Sequence, residues 1–128
     1  MRIEGLVATP RELTFADLAA LPEQIADVST LAPGPSGAAV RVRALLAAAG
    51  VRPGATTLAV SSRDGAFDAA VPLAAADSAV LVYANAGAPL PAALGGPLRF
   101  LIPDATSCGL PGVDACANVK DVGVLRVE

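Results

Sequence analysis

The chain has 128 residues, 54% of them hydrophobic but only 3% aromatic, with a net charge of −3, no histidine and no tryptophan. That length suits one domain over residues 1–128, which short strands with two or three short helices make α+β, with a core of Ala, Val and Leu and with Phe15, Phe67, Phe100 and Tyr83 as its few large pieces. The missing histidine excludes Ser-His-Asp and Cys-His nucleophile systems and His-ligated zinc, and the acidic balance leaves no nucleic-acid footprint.

Residues 2–7 alternate in polarity and read as a first strand. Thr14 reads as a helix N-cap, with Asp17 at the third helical position completing a capping box. Phe15, Leu18 and Ala19 then share one face of a short helix ending at Leu21-Pro22. Residues 24–31 suggest a strand, and the Pro/Gly-rich residues 32–37 a loop. The clearest helix follows: Val42, Leu45, Leu46 and Ala49 recur at helical spacing, and Gly50 supplies the C-terminal cap. Arg41 and Arg43, two positions apart, belong to a solvated face. Residues 56–61 and 67–73 form a hairpin about Arg63-Asp64-Gly65, because Asp-Gly readily supplies positive φ. A helical turn over residues 73–77 leads to a buried strand at 80–83 and a turn at Asn85-Ala86-Gly87. Residues 89–96 read as irregular, 98–102 as a strand, 104–118 as a loop and 119–127 as a closing strand.

No apolar leader follows the first residues, and the longest apolar runs are too short to span a bilayer. The expectation is a cytoplasmic protein without membrane association, a trimmed exported protein being the other case. Cys108 and Cys116 are separated by seven intervening residues in the Gly/Pro-rich loop. A disulfide there would stabilise by about 2–3 kcal/mol in the loop-entropy view. Free thiols are the second reading. Arg99 is a candidate anion clamp or a partner for Asp64 or Asp104. Lys120, the chain's one lysine, is a candidate point charge for an anion or a solvated residue at a strand start.

The order of motifs resembles the molybdopterin-binding domain of the sulfite oxidase family. The matching stretches are residues 13–22, the helix at 39–51, Ser61 to Gly65, and Asn118-Val119-Lys120-Asp121-Val122. The fullest match is Gly87-Ala88-Pro89-Leu90-Pro91 leading to Gly95-Gly96-Pro97-Leu98-Arg99-Phe100-Leu101-Ile102-Pro103. The resemblance implies an α+β fold with a mixed sheet and short helices. It implies a molybdopterin cofactor whose metal takes a cysteine thiolate, a soft ligand suited to it. It also implies that Arg99, Lys120 and Ser29 border the cofactor site. The thiolate's matched window is Asp27-Val28-Ser29-Thr30, where serine offers a harder, far less acidic oxygen. Gly37 and Asp121 stand where the family pattern has tryptophan. A frame without its matched metal ligand implies a binding or interaction module for a protein partner or a small anionic ligand. The alternative is an oxidoreductase domain that retains an anionic pterin cofactor. A third reading makes Cys108 or Cys116 a relocated molybdenum ligand.

Overall fold

The computed structural model describes residues 1–28, 37–65, 68–77, 79–85, 88–90, 96, 98–101 and 119–128. In chain order its elements are β1 (Arg2–Gly5), β2 (Arg11–Glu12), α1 (Phe15–Ala19), β3 (Gln24–Ile25), β4 (Ala38–Arg41) and α2 (Val42–Ala49). Then come β5 (Thr57–Ser62), β6 (Asp68–Pro72), α3 (Leu73–Ala76), β7 (Val80–Asn85), β8 (Ala88–Pro89), β9 (Arg99–Leu101), β10 (Val119–Lys120) and β11 (Val122–Val127). They form two sheets. The first is five-stranded and mixed, in the order β2-β1-β11-β5-β6, with β1 parallel to β11. The second runs β10-β9-β7-β4-β3, with β8 also paired to β7, and is antiparallel throughout. This is the α+β architecture that the pattern of short strands and few helices implied.

Each sheet's burial follows from its place. In β5, Leu58, Val60 and Ser62 are buried and Thr57, Ala59 and Ser61 half-buried, the alternation of a sheet with one face on a core. In β7 five consecutive residues, Val80 to Ala84, are buried. That strand is central, so both of its faces are covered. Leu81 and Tyr83 enter the main core beside Val40, Phe100 and Val119, together with Ile3, Leu58, Val60 and Leu125 of the first sheet. Val80 and Val82 enter a second cluster on the other face, with Val28, Ala39, Leu90 and Leu101. Burial of this kind is the main drive to fold, at about 25 cal/mol per Å² of apolar surface.

The helices obey their local signals. Val42, Leu45, Leu46 and Ala49 of α2 are buried against the main core. Gly50 takes φ of 76° and donates its N–H to the Leu46 carbonyl at 2.9 Å. The capping box of α1 is complete: the Thr14 hydroxyl accepts from the Asp17 N–H, and Asp17 Oδ2 accepts from the Thr14 N–H at 2.9 Å. Backbone and side-chain hydrogen bonds from Thr14 hold the Asp17 carboxyl below its ordinary value.

Four expectations need correction. The strand expected at 24–31 is the two-residue β3, and its final residues fall outside the described ones. Residues 39–41, included in the helical stretch 39–51 of the family match, form β4 together with Ala38, because β7 offers them a partner. Pro89, expected to be irregular, pairs with β7 together with Ala88 as β8. The closing strand at 119–127 is two strands in different sheets, broken at Asp121, whose φ is 53°. Of the loop expected at 32–37 all but Gly37, and the whole of that expected at 104–118, lie outside the described residues.

The Gly-Gly-Pro motif has a packing explanation at its second glycine. A Cβ on Gly96 would stand 1.8 Å from the carbonyl oxygen of Leu90, so the two backbones touch there. Replacing Gly96 with Ala should therefore lower stability by about 3 kcal/mol, as overpacking against backbone does. Urea unfolding checks this: the midpoint should fall with an unchanged slope, and a loss under about 1 kcal/mol would contradict the close approach.

Candidate functional site

The register of the second sheet brings two of the three sequence-predicted site residues together. In the antiparallel pairing of β9 and β10, Arg99 stands directly opposite Lys120 and Phe100 opposite Val119. Residues opposite one another share a face, with Cβ atoms about 5 Å apart. Phe100 and Val119 turn into the main core, so Arg99 and Lys120 stand on the other face. Arg99 also opposes Val82 of β7, which belongs to the second cluster. Arg99 is half-buried and Lys120 exposed. Among the described residues no carboxylate forms an ion pair with Lys120. Ser29, the third predicted residue, lies outside the described residues, as do Cys108, Cys116 and Asp104. Its chain neighbour Val28 is fully buried in the second cluster, alongside Val82.

Like charges directly opposite on a sheet repel. An Arg-Lys pair on one face therefore offers a chemically defined opportunity: an oxyanion between them gains two charge-assisted hydrogen bonds. The guanidinium contributes a planar fork and the ammonium a compact charge.

A corner adjoins this pair. Asp121 separates β10 from β11 in a left-handed conformation, a region that Asp tolerates better than most residues. Its carboxylate accepts from Arg63 Nε at 2.6 Å, and its carbonyl accepts from the Arg63 N–H at 2.8 Å. The next residue, Val122, donates its N–H to the Leu98 carbonyl at 2.9 Å. Arg63 also lies over Gly123: a Cβ there would come within 2.8 Å of Arg63 Cα and Cγ. The hairpin turn at Arg63-Asp64-Gly65 forms as expected, with Gly65 at φ of 72°. Asp64 accepts the Ser62 hydroxyl at 2.7 Å. The sequence pattern identified this turn but not its hold on Asp121, a contact 58 residues away in the chain.

Arg43 is exposed, as a solvated face requires, but it is not idle. Its Nε donates to Glu23 Oε1 at 2.7 Å, and Asp77 lies 4.0 Å from its Nη1. That hydrogen bond holds the Glu23 carboxyl below its ordinary value. No local pattern announces this network, because its members come from three separate segments.

On the main-core side of the second sheet lies an apolar cavity of about 270 Å³. Its lining includes Met1, Leu13, Phe15, Leu18, Tyr83 and Leu98. Phe15, 40% exposed, meets Tyr83 edge to face with ring centroids 5.5 Å apart. The Tyr83 hydroxyl donates to Gln24 Oε1 at 2.5 Å. This cavity and the cation pair are on opposite faces of the sheet. Among the described residues no group of three or more carboxylates, thiols or imidazoles comes together, and no helix is long and apolar enough to cross a membrane.

Fold and site together define an α+β domain of two sheets with a cationic cross-strand pair beside the corner between them. The family model described as the oxidoreductase molybdopterin binding domain matches residues 38–118, more than half of the chain, and the chain belongs to that family. The fold is similar to that of the sulfane dehydrogenase SoxCD from Paracoccus pantotrophus, with a TM-score of 0.71 at 23% identity. That likeness covers 99% of this chain and 37% of the other, so this chain spans little more than a third of that one's length. A search of curated proteins returned no match.

Tyr83 is the one tyrosine in a chain without tryptophan, so its ionisation can be followed alone. Burial pushes its phenol above the ordinary 10.0, and ionisation would also break the bond to Gln24. As pH rises the unfolded chain loses this proton first. The stabilisation is therefore complete below pH 10.0 and is lost as pH climbs through the folded value. Phenolate absorbance should show a single midpoint above 10.0 in the folded protein, with unfolding free energy falling over the same range. A midpoint at or below 10.0 would contradict the buried environment.

Proposed function

We propose that the domain binds the anionic end of a molybdopterin-type cofactor, holding its phosphate between Arg99 and Lys120. One observation carries this reading: the register sets the two cations opposite each other on one sheet face. The residues present fit such a group, since a guanidinium and an ammonium side by side match a multiply charged oxyanion. When bound, the cofactor would supply a dithiolene pair of sulfurs to molybdenum and with it the metal's redox chemistry. The chain's own residues bind and orient. Arg99, half-buried beside Val82, is the more rigid donor, and Lys120 closes on the anion from the edge strand. Ser29, taken as the residue at the matched thiolate position, gives a metal only a hard and weakly acidic oxygen. The proposal is therefore of pterin retention without a protein thiolate from that position. Among the described residues Lys120 lies on the edge strand of its sheet, the side from which a partner would complete the site.

Two measurements test it. Protein purified from a host that makes the cofactor should carry pterin in near-stoichiometric amount by fluorescence. Calorimetric titration with inorganic pyrophosphate should show binding that weakens about tenfold in Arg99→Gln and again in Lys120→Gln, as expected when a charge-assisted hydrogen bond is removed. A folded chain that carries no pterin and ignores pyrophosphate would overturn the proposal.

A further inference from the structure

We infer that Arg63 is a positioning residue for the cation pair: it holds the Asp121 carboxylate away from Lys120 and so keeps the ammonium available to an anion. The inference rests on the anion-site reading above and adds a residue to it. Asp121 follows Lys120 directly, with Cα atoms about 3.8 Å apart, so an untethered carboxylate there would lie within easy reach of the lysine side chain. Such a carboxylate would neutralise the ammonium and repel an incoming phosphate. The structure shows it engaged elsewhere. Arg63 Nε lies 2.6 Å from Asp121 Oδ1, and the Arg63 N–H anchors the Asp121 carbonyl at 2.8 Å. The stem of Arg63 is seated on Gly123, which fixes where its guanidinium can go. Arg63 itself is fixed by the β5–β6 hairpin, in which the Gly65 N–H closes on the Ser62 carbonyl at 3.1 Å. One arginine thus takes up the carboxylate that adjoins Lys120 in the chain.

A purely mechanical clamp would predict something different. The Arg63–Asp121 ion pair is exposed, at 62% and 36% of the two side chains. Exposed pairs contribute little to stability. If the pair only braced the corner, breaking it from either side would have the same effect. If it masks a charge, the two sides differ. Arg63→Gln releases the carboxylate and should weaken pyrophosphate binding about fivefold at low ionic strength, with the effect fading as salt is added. Asp121→Asn breaks the same ion pair but removes the charge, and asparagine accepts the left-handed conformation. Its affinity should equal or exceed that of the unaltered protein. The double variant should recover what Arg63→Gln lost, and Arg63→Lys should lose less than Arg63→Gln.

The single lysine provides a readout independent of any ligand. With isotope-labelled lysine, the protein gives one ε-methylene resonance. It should shift in Arg63→Gln, as the carboxylate moves onto Lys120, and return in the double variant. Equal losses in Arg63→Gln and Asp121→Asn, or a lysine resonance unmoved by Arg63→Gln, would overturn the inference. Failure of the unaltered protein to bind pyrophosphate, with the resonance behaving as described, would instead overturn the anion-site reading and leave the charge masking standing.

Discussion

Between Lys120 and Val122 the chain leaves one sheet and joins the other at a single residue, and much of the fold hangs on that step. Residue 121 must turn sharply enough to end β10 against β9 and begin β11 between β1 and β5. The left-handed conformation costs a non-glycine residue about 1–2 kcal/mol, less for Asp. The offset is local: two backbone hydrogen bonds, from Arg63 to Asp121 and from Val122 to Leu98, each contributing about 1 kcal/mol, and an exposed ion pair adding less. The corner is therefore close to balance by itself. What commits it is burial on either side, where Val119 and Val122 are both fully buried in the main core. Two apolar anchors flank one polar hinge, and the hinge fixes the register that sets Lys120 opposite Arg99.

The legibility of this fold in its sequence tracks the range of the interactions. Helix α2 could be read because its spacing, its apolar face and its glycine cap lie within nine consecutive residues. The capping box of α1 and the Asp-Gly hairpin are also local, and both form. Strand β4 escaped because nothing within Ala38–Arg41 marks a strand; β7 makes it one by pairing along its length. The break at Asp121 was hidden for a related reason. Val122, Val124 and Val127 among charges look like one strand with Val119, and the change of sheet depends on partners far away in sequence. The apolar run in β7 was legible as buried, and the structure supplies the cause in two clusters on its two faces.

The candidate site was partly legible. Arg99 and Lys120 stood out through resemblance, as single residues in two separated motifs. Their meeting required the register of β9 and β10, which composition and spacing do not encode. Conversely, the second glycine of the Gly-Gly-Pro stretch, part of the fullest family match, has a structural cause in its approach to Leu90. Motif and site thus separate: part of the matched pattern serves the frame, and part serves the charge on one of its faces.

The composition that first excluded histidine-based chemistry bears on this charge in another way. With one lysine and few charged residues, the chain has little surface charge to spread a field, so individual pairs dominate locally. An arginine and a lysine opposite each other lower the stability of their strand pair unless something negative comes between them. The acid that follows Lys120 directly in the chain is Asp121, and it is turned to Arg63. Held on the hairpin, it stays off the Lys120 ammonium, and that is the charge an anion arriving from outside would meet.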